Sequence, residues 1–474
     1  MNQEKRPLRI WLGITLAAAI LVRIALLVGY APVPYGDSAS YRRLSRSVLN
    51  HFERYDGTRT PGYPVFLAIV GSDERVWLVQ MVMGLAITLL FFYIAWRLSG
   101  KAWLAGLAGL AHSLSLGQLF FEANLLTETL TTFLIILALA GVLLLQKGSP
   151  AKPPSPLLAL TIGLFSALAL ITRPLFIYLP FIALFFILLA GLKPGTIKPL
   201  DPKRWLFNLL VFLVPVALIL GGWVTFIHSR FGDWGLTTMT GYHLVQHTGG
   251  FFEYAPDEYA VIRDTYLRYR DAHIAQFGTQ TNTIWDAIPE LSKVSGLNFY
   301  DLSRTLAHIS TGLILEHPEL YLRNVLKGWW YFWFAPVYWS PEALRIPALA
   351  APIQWLVNVQ RILAAGFNLF FVITSLLWMF HEAKQFFIKR RTPAGTALAN
   401  RGEAAQPTFA PFLWYLAASI WIASILQSML DHGDNPRFLV PLQSTVILWG
   451  LWYLGQAAPH WIQNIKERRL FQKR

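Results

Sequence analysis

The chain has 474 residues, 55% of them hydrophobic and 14% charged, with a mean hydropathy of +0.44. Soluble domains carry about a quarter charged residues, so this composition excludes an ordinary water-soluble domain and points to a chain largely solvated by lipid. The net charge of +14 falls mostly in short hydrophilic breaks, where it reads as membrane topology and not nucleic-acid binding; with no Cys, disulfides, Fe–S clusters and thiolate zinc sites are excluded.

A helix needs roughly 20 apolar residues to cross a bilayer. Runs of that kind predict ten spans, at 10–30, 76–98, 102–120, 125–146, 156–172, 174–192, 205–228, 352–380, 409–430 and 438–456. The first has no small-residue cleavage site before the polar segment that follows it, so it reads as a retained span and not a signal peptide. Lys5, Arg6, Arg9, Arg97, Lys101, Lys147, Lys152, the run from Lys193 to Arg204, the run from Lys384 to Arg401 and the tail from Lys466 all fall on one side of this arrangement. The positive-inside rule then places both termini in the cytoplasm.

The spans divide the chain into an N-terminal transmembrane module (1–228) with a first outer loop at 31–75, an extracytoplasmic helical subdomain (229–351), and C-terminal transmembrane helices with a cytoplasmic tail (352–474). Pro150 to Pro156 and Thr392 to Gln406 read as cytoplasmic linkers. Trp329 to Phe334 is too short to span and too aromatic for water, which places it in the headgroup layer. No internal repeat is visible, in contrast to many transporter folds.

Ionisable groups near hydrocarbon are costly and need a reason. Placed on this topology, Asp37, Glu122 with Glu128, Arg173, and Asp431 with His432, Asp434 and Arg437 come from four separate hairpins and face one leaflet. Asp37 and Tyr41 are four residues apart and share a helix face. Arg59-Thr60-Pro61-Gly62-Tyr63-Pro64 sets a rigid turn before an apolar stretch, Val65 to Val70. Arg23 and Arg361 are the cations that fall within spans. His243 and His247 have the i, i+4 spacing of a metal pair but lack an accompanying acidic motif, and no Asp-x-Asp or Walker-type phosphate loop occurs.

Asp37 with Tyr41, Arg59 to Pro64, Thr127-Glu128, Arg173-Pro174 and Pro436-Arg437-Phe438-Leu439-Val440-Pro441, in that order and on one side, resemble the GT-C glycosyltransferases. The similarity is to the bacterial relatives of protein O-mannosyltransferases and of the aminoarabinose transferase that modifies lipid A. It covers most of the membrane region but not 229–351. It implies a GT-C-like bundle of about ten transmembrane helices in a bacterial inner membrane, with a helical extracytoplasmic subdomain. It also implies a polyprenyl-phosphate sugar donor and a lipid, glycan or protein acceptor bearing a hydroxyl.

By that resemblance Asp37 is catalytic and Arg59 holds phosphate; Tyr41, Arg42, Tyr63, Glu128, Arg173, Asp434 and Arg437, gathered with them on the same side, are expected to bind substrate. No cofactor is required, and a divalent cation (Mg or Mn) is left open. Aminoarabinose transferases carry a second acid after the first and an Arg before the Tyr; this chain has Ser38 and Ser40 there, with Arg42 or Arg43 as substitute cations. A flippase of lipid-linked sugars, or an O-antigen polymerase or ligase, are the alternatives.

Overall fold

A computed structural model describes residues 2–145, 154–192, 198–391, 409–433 and 435–471. Residues 150–153 of the first predicted linker and the whole of the second, 392–406, therefore lie outside the described residues, as do Lys147 and Asp434.

The described chain is all-helical apart from two isolated bridges. The N-terminal part runs α1 (Asn2–Gly29), α2 (Gly36–Leu49), α3 (Gly62–Val70), α4 (Asp73–Ser99), α5 (Ala102–Ser113), α6 (Leu116–Ala123), α7 (Glu128–Leu145), α8 (Pro156–Thr172), α9 (Tyr178–Ala190), α10 (Pro202–Val216) and α11 (Gly222–Phe231). The middle region holds α12 (Thr240–Thr248), α13 (Ala260–Phe277), α14 (Thr283–Ser295), α15 (Phe299–Glu316) and α16 (Pro318–Phe332). The chain closes with α17 (Ala350–Arg391), α18 (Ala410–Leu430) and α19 (Val440–Phe471).

Local chemistry sets many of these ends. Ser72 caps α4 by accepting from the Arg75 amide, and Gly100 ends it in a left-handed conformation. Ser155 with Pro156, and Asp201 with Pro202, open α8 and α10. Pro215 has no amide hydrogen to donate, and a π-turn at Ala217–Gly221 follows it before α11 continues the same rod.

Among the described residues, seven helical segments are long and apolar enough to cross a bilayer, or eight if the pair Ala102–Ser113 and Leu116–Ala123, bent by 48°, is one crossing. The apolar helices at 156–172 and 174–190 are shorter, because Arg173 is extended and Pro174–Ile177 forms a tight turn between them. The chain is thus a polytopic α-helical membrane protein. Burial decides the order of its layers: 78% of the apolar window of α7 is inside, against 17% for α1. A chain solvated by lipid keeps apolar side chains on its outer surface too, and α1, α10 with its π-turn, and α17 duly expose Leu21, Val28, Leu210, Leu218, Ile362 and Phe380. Glu128 therefore opens the central helix of the bundle.

The middle region has a core of its own, built from Tyr242, Val245, Phe252, Tyr266, Ile284, Leu291, Leu302 and Leu306. It rests on the end of the bundle where α18 turns into α19. There the Tyr321 hydroxyl donates to the Met429 carbonyl at 2.7 Å and the His243 ring meets Asp431 at 3.2 Å. The aromatic run at the end of α16 is split between two environments. Phe332 and Trp333 are buried in the bundle core, whereas Trp330, Tyr331 and Phe334 are exposed.

Candidate functional site

Three chain segments are lashed together before any functional side chain is considered. Val33 bridges to Asn124, its amide donating to the Ala123 carbonyl at 3.1 Å and its carbonyl accepting from Leu125 at 3.3 Å. The loop that leads to α2 is thereby tied to the loop that leads to α7. Ser38 strengthens the tie: its hydroxyl accepts from the Tyr35 amide and donates to the Leu125 carbonyl, each at 2.9 Å. The buried Ser38 hydroxyl thus holds α2 in place. Asn124 also donates to the Tyr338 carbonyl at 2.9 Å, which docks the strap between α16 and α17.

The motif around Gly62 has a steric reason. A Cβ at Gly62 would lie 2.6 Å from the Ile171 carbonyl oxygen and from the Thr172 amide and Cα. Only glycine lets the start of α3 press against the last turn of α8, one residue before Arg173. This contact sets the Arg59 loop beside Arg173.

The outcome is a chain of ion pairs. Arg59 donates to Asp37 Oδ1 at 2.6 Å, and Arg437 Nη1 donates to Asp37 Oδ2 at 2.8 Å. Arg437 Nε reaches Glu128 Oε1 at 2.5 Å, and Arg173 Nη1 reaches the same oxygen at 3.0 Å. Among the described residues, three guanidinium groups thus meet two carboxylates. Exposure grades along the chain: the side chains of Glu128 and Arg173 are 1% and 6% exposed, that of Arg437 10%, and those of Asp37 and Arg59 28% and 27%. Glu128 is the buried foundation and Asp37 the accessible rim.

Aromatic rings form the walls. The Arg173 guanidinium lies 4.0 Å from the centre of the Phe438 ring, Arg437 lies 5.6 Å from that of Tyr338, and Arg59 lies 5.6 Å from that of Tyr41. Tyr338 stacks on Phe121 and leans on Tyr35, at centroid distances of 5.5 and 5.3 Å. Burial pushes the carboxyl of Asp37 up, but Arg59 and Arg437, with Arg173 behind them, outweigh it and hold Asp37 below the usual carboxylate range.

The cluster contains five of the nine residues expected from sequence: Asp37, Arg59, Glu128, Arg173 and Arg437. Tyr41 borders it through Arg59. Tyr63 does not face it; it is buried, its hydroxyl donates to Gln80 at 3.1 Å, and its ring meets Tyr41 edge-on, so it props up Tyr41 from behind. Arg42 lies outside the cluster. It follows Tyr41 by about 100° around the helix, and it turns to Asp73 and to the Gly71 carbonyl. Arg43 likewise pairs with Asp56 at 2.6 Å. Asp434 lies outside the described residues.

Glu122 does not join the Asp37 cluster either. Arg23 Nε and Nη2 donate to its two oxygens at 2.9 and 2.5 Å, and Nη1 bonds Ser113 at 2.9 Å. A Cβ at Gly84 would stand 1.9 Å from Glu122 Oε1, so that glycine makes the room for the pair. The two in-span ions, Arg23 from one helix and Glu122 from another, neutralise each other. Sequence reading missed this pair and also missed Tyr338 and Phe438 as walls. An opposite-charge pair within spans is a signal for the first; nothing local marks the second.

His243 and His247 do not converge on an acid pair. His243 faces Asp431, while His247 is buried with its ring 5.6 Å from that of His432. Among the described residues, no three His, Asp or Glu side chains are arranged to hold a metal ion. No protein-family model, curated protein or solved structure matches this chain.

Proposed function

We propose that this protein is a GT-C-type membrane glycosyltransferase. In this reading it transfers a sugar from a polyprenyl-phosphate donor to a hydroxyl acceptor on a lipid, glycan or protein. The observation that carries the reading is an accessible carboxylate, Asp37, set at the rim of a cluster of three arginines at one end of a membrane bundle.

A donor phosphodiester carries one negative charge, and Arg59 at the exposed rim is placed to meet it. The acceptor oxygen attacks the anomeric carbon, its proton passes to Asp37, and the bond from the anomeric carbon to the phosphate oxygen breaks with inversion. The polyprenyl phosphate leaves with the bonding electrons and needs no proton, so one carboxylate suffices where glycosidases use two. Its charge grows from one to two as it departs. Arg59 and Arg437, backed by Arg173, are placed to favour that developing charge over the ground state. Glu128 positions Arg437 and Arg173 and stays out of reach of substrate. The middle region would cover the site, exclude water from the donor and select the acceptor.

The membrane assignment belongs to the same proposal. Counting the bent pair and the two shorter apolar helices as crossings gives the ten spans of a GT-C bundle. Both termini are then cytoplasmic, the site faces outward, and the membrane is a bacterial inner membrane. A flippase would need unpaired polar groups along a path through the spans, and the in-span pair Arg23–Glu122 is bonded at both carboxylate oxygens.

The test is single-turnover transfer from labelled polyprenyl-phosphate sugars to extracted envelope acceptors, wild type beside Asp37→Asn. General-base catalysis contributes about 10²–10⁴ in rate, so the variant should lose transfer by that factor. Near-normal turnover by Asp37→Asn sinks the assignment. Labelled lipid crossing the bilayer equally in both, with no transfer, favours transport.

A further inference from the structure

Asp37 is occupied in the arrangement described. One oxygen accepts from Arg59 and the other from Arg437, so both oxygens already sit against a cation that weakens them as proton acceptors. The two arginines are not equivalent. Arg437 is tied at a second nitrogen to Glu128, lies against Tyr338 and is 10% exposed. Arg59 reaches Asp37 through a single bond and otherwise rests on the face of Tyr41; it is 27% exposed. Its backbone belongs to the loop between α2 and α3, which is held at the Arg59 carbonyl by the Tyr55 hydroxyl at 3.1 Å. The side chain can therefore swing while the loop stays in place.

We propose that Arg59 is an exchangeable lock on Asp37: the phosphodiester of the donor draws the Arg59 guanidinium off Oδ1, and that oxygen becomes available to the acceptor only once the donor is bound. This rests on the reading of Asp37 as the base in transfer from a polyprenyl-phosphate sugar, and it adds an order of events that the reading does not require.

The charge changes of the reaction drive the exchange in one direction. Before donor binds, Arg59 has one anion within reach, the carboxylate. With donor bound it has two, and a guanidinium binds phosphate oxygens in bidentate geometry. Removing one of its two cations makes Asp37 a stronger base. As the proton arrives on Asp37 its charge disappears, while the departing phosphate gains one, so Arg59 follows the negative charge to the leaving group. Arg437 remains on Oδ2 through its Glu128 anchor and keeps the carboxylate oriented. Donor therefore binds before acceptor, and an acceptor arriving first meets a base that is already occupied.

The experiment is a double-mutant cycle read by binding, not turnover. The probe is a polyprenyl monophosphate without sugar, titrated into lipid nanodiscs containing wild type, Asp37→Asn, Arg59→Gln or the double variant. If Asp37 competes with phosphate for Arg59, Asp37→Asn should bind the probe about tenfold tighter than wild type, about 1.4 kcal/mol. In the Arg59→Gln background the same substitution should change affinity by less than about threefold, because the contested cation is gone. Equal tightening in both backgrounds means simple repulsion between carboxylate and phosphate and overturns the lock, as does no tightening in either, while the transferase reading survives both. Failure of all four proteins to bind the probe overturns the transferase reading and the lock with it. A second measurement needs only wild type: initial-rate kinetics should show ordered addition with donor first, and random addition overturns the lock even if the variants do not fold.

Discussion

Glu128→Gln tests whether the ion-pair chain is the foundation of the site. The amide keeps the shape of the side chain and one acceptor oxygen but removes the charge that Arg173 and Arg437 share. Breaking a buried pair costs about 3–5 kcal/mol, chiefly because the remaining charge is left uncompensated. Here Arg437 keeps Asp37 and Arg173 keeps the Phe438 ring, which sets the expectation at the lower end, about 3 kcal/mol. Against a total of about 5–15 kcal/mol for a typical fold, that is a large share. The assay is thermal unfolding of the purified protein in one detergent, comparing Glu128→Gln, Arg173→Gln and the double variant. The double variant removes one charge of each sign, so it leaves the net charge of the cluster as in wild type and should recover part of the loss, giving a clearly non-additive cycle. A Glu128→Gln cost below about 1 kcal/mol, or an additive double variant, would refute the account of Glu128 as the shared anchor.

Other parts of the structure carry their own tests. Gly62→Ala forces a methyl group into the backbone at the end of α8 and should cost about 1–3 kcal/mol as overpacking, with reduced transfer because the Arg59 loop shifts; wild-type melting and transfer would show that the close approach is not needed. Arg42→Gln removes a rim contact to Asp73, should cost less than about 1 kcal/mol and leaves transfer at the wild-type rate; a strong loss of transfer would return Arg42 to the site. Burial holds the His247 imidazole down at about 4, with His432, Tyr321 and Asp431 beside it and Lys327 acting on His432. The unfolded chain takes up that proton below about pH 6.5 and the folded chain only near 4, so stability falls as pH drops through this window, by up to about 3 kcal/mol. Unfolding temperatures between pH 7 and 4 should show this slope and lose part of it in His247→Phe; a slope identical in both proteins assigns the acid sensitivity elsewhere.

Periodicity and composition are properties of contiguous residues, and what depends on them was legible in the sequence. The apolar runs located the membrane helices, because a helix in lipid must satisfy its backbone internally and cover roughly 20 residues with apolar side chains. The same kind of reading located Asp37 and Tyr41 on one helix face, the break at Arg173-Pro174, and a helical middle region with its own apolar periodicity. It overstated the regularity of the crossings, since the break after Ser113 and the tight turn at Pro174 interrupt what hydropathy reads as even segments.

Partner choice was decided elsewhere. Arg42 and Arg59 are both cations near Asp37 in sequence, yet one turns to Asp73 and the other to Asp37, because the helix face and the close approach at Gly62 aim them differently. Glu122 and Glu128 are six residues apart on neighbouring helices, yet the first neutralises Arg23 and the second holds Arg173 and Arg437. An ion pair depends on a few ångströms between atoms that are 22 to 400 residues apart in the chain. The sequence by itself determined which ionisable groups had to be reconciled with a membrane; only the packed bundle decided which of them neutralise one another and which carboxylate, Asp37, stays at the surface of the site.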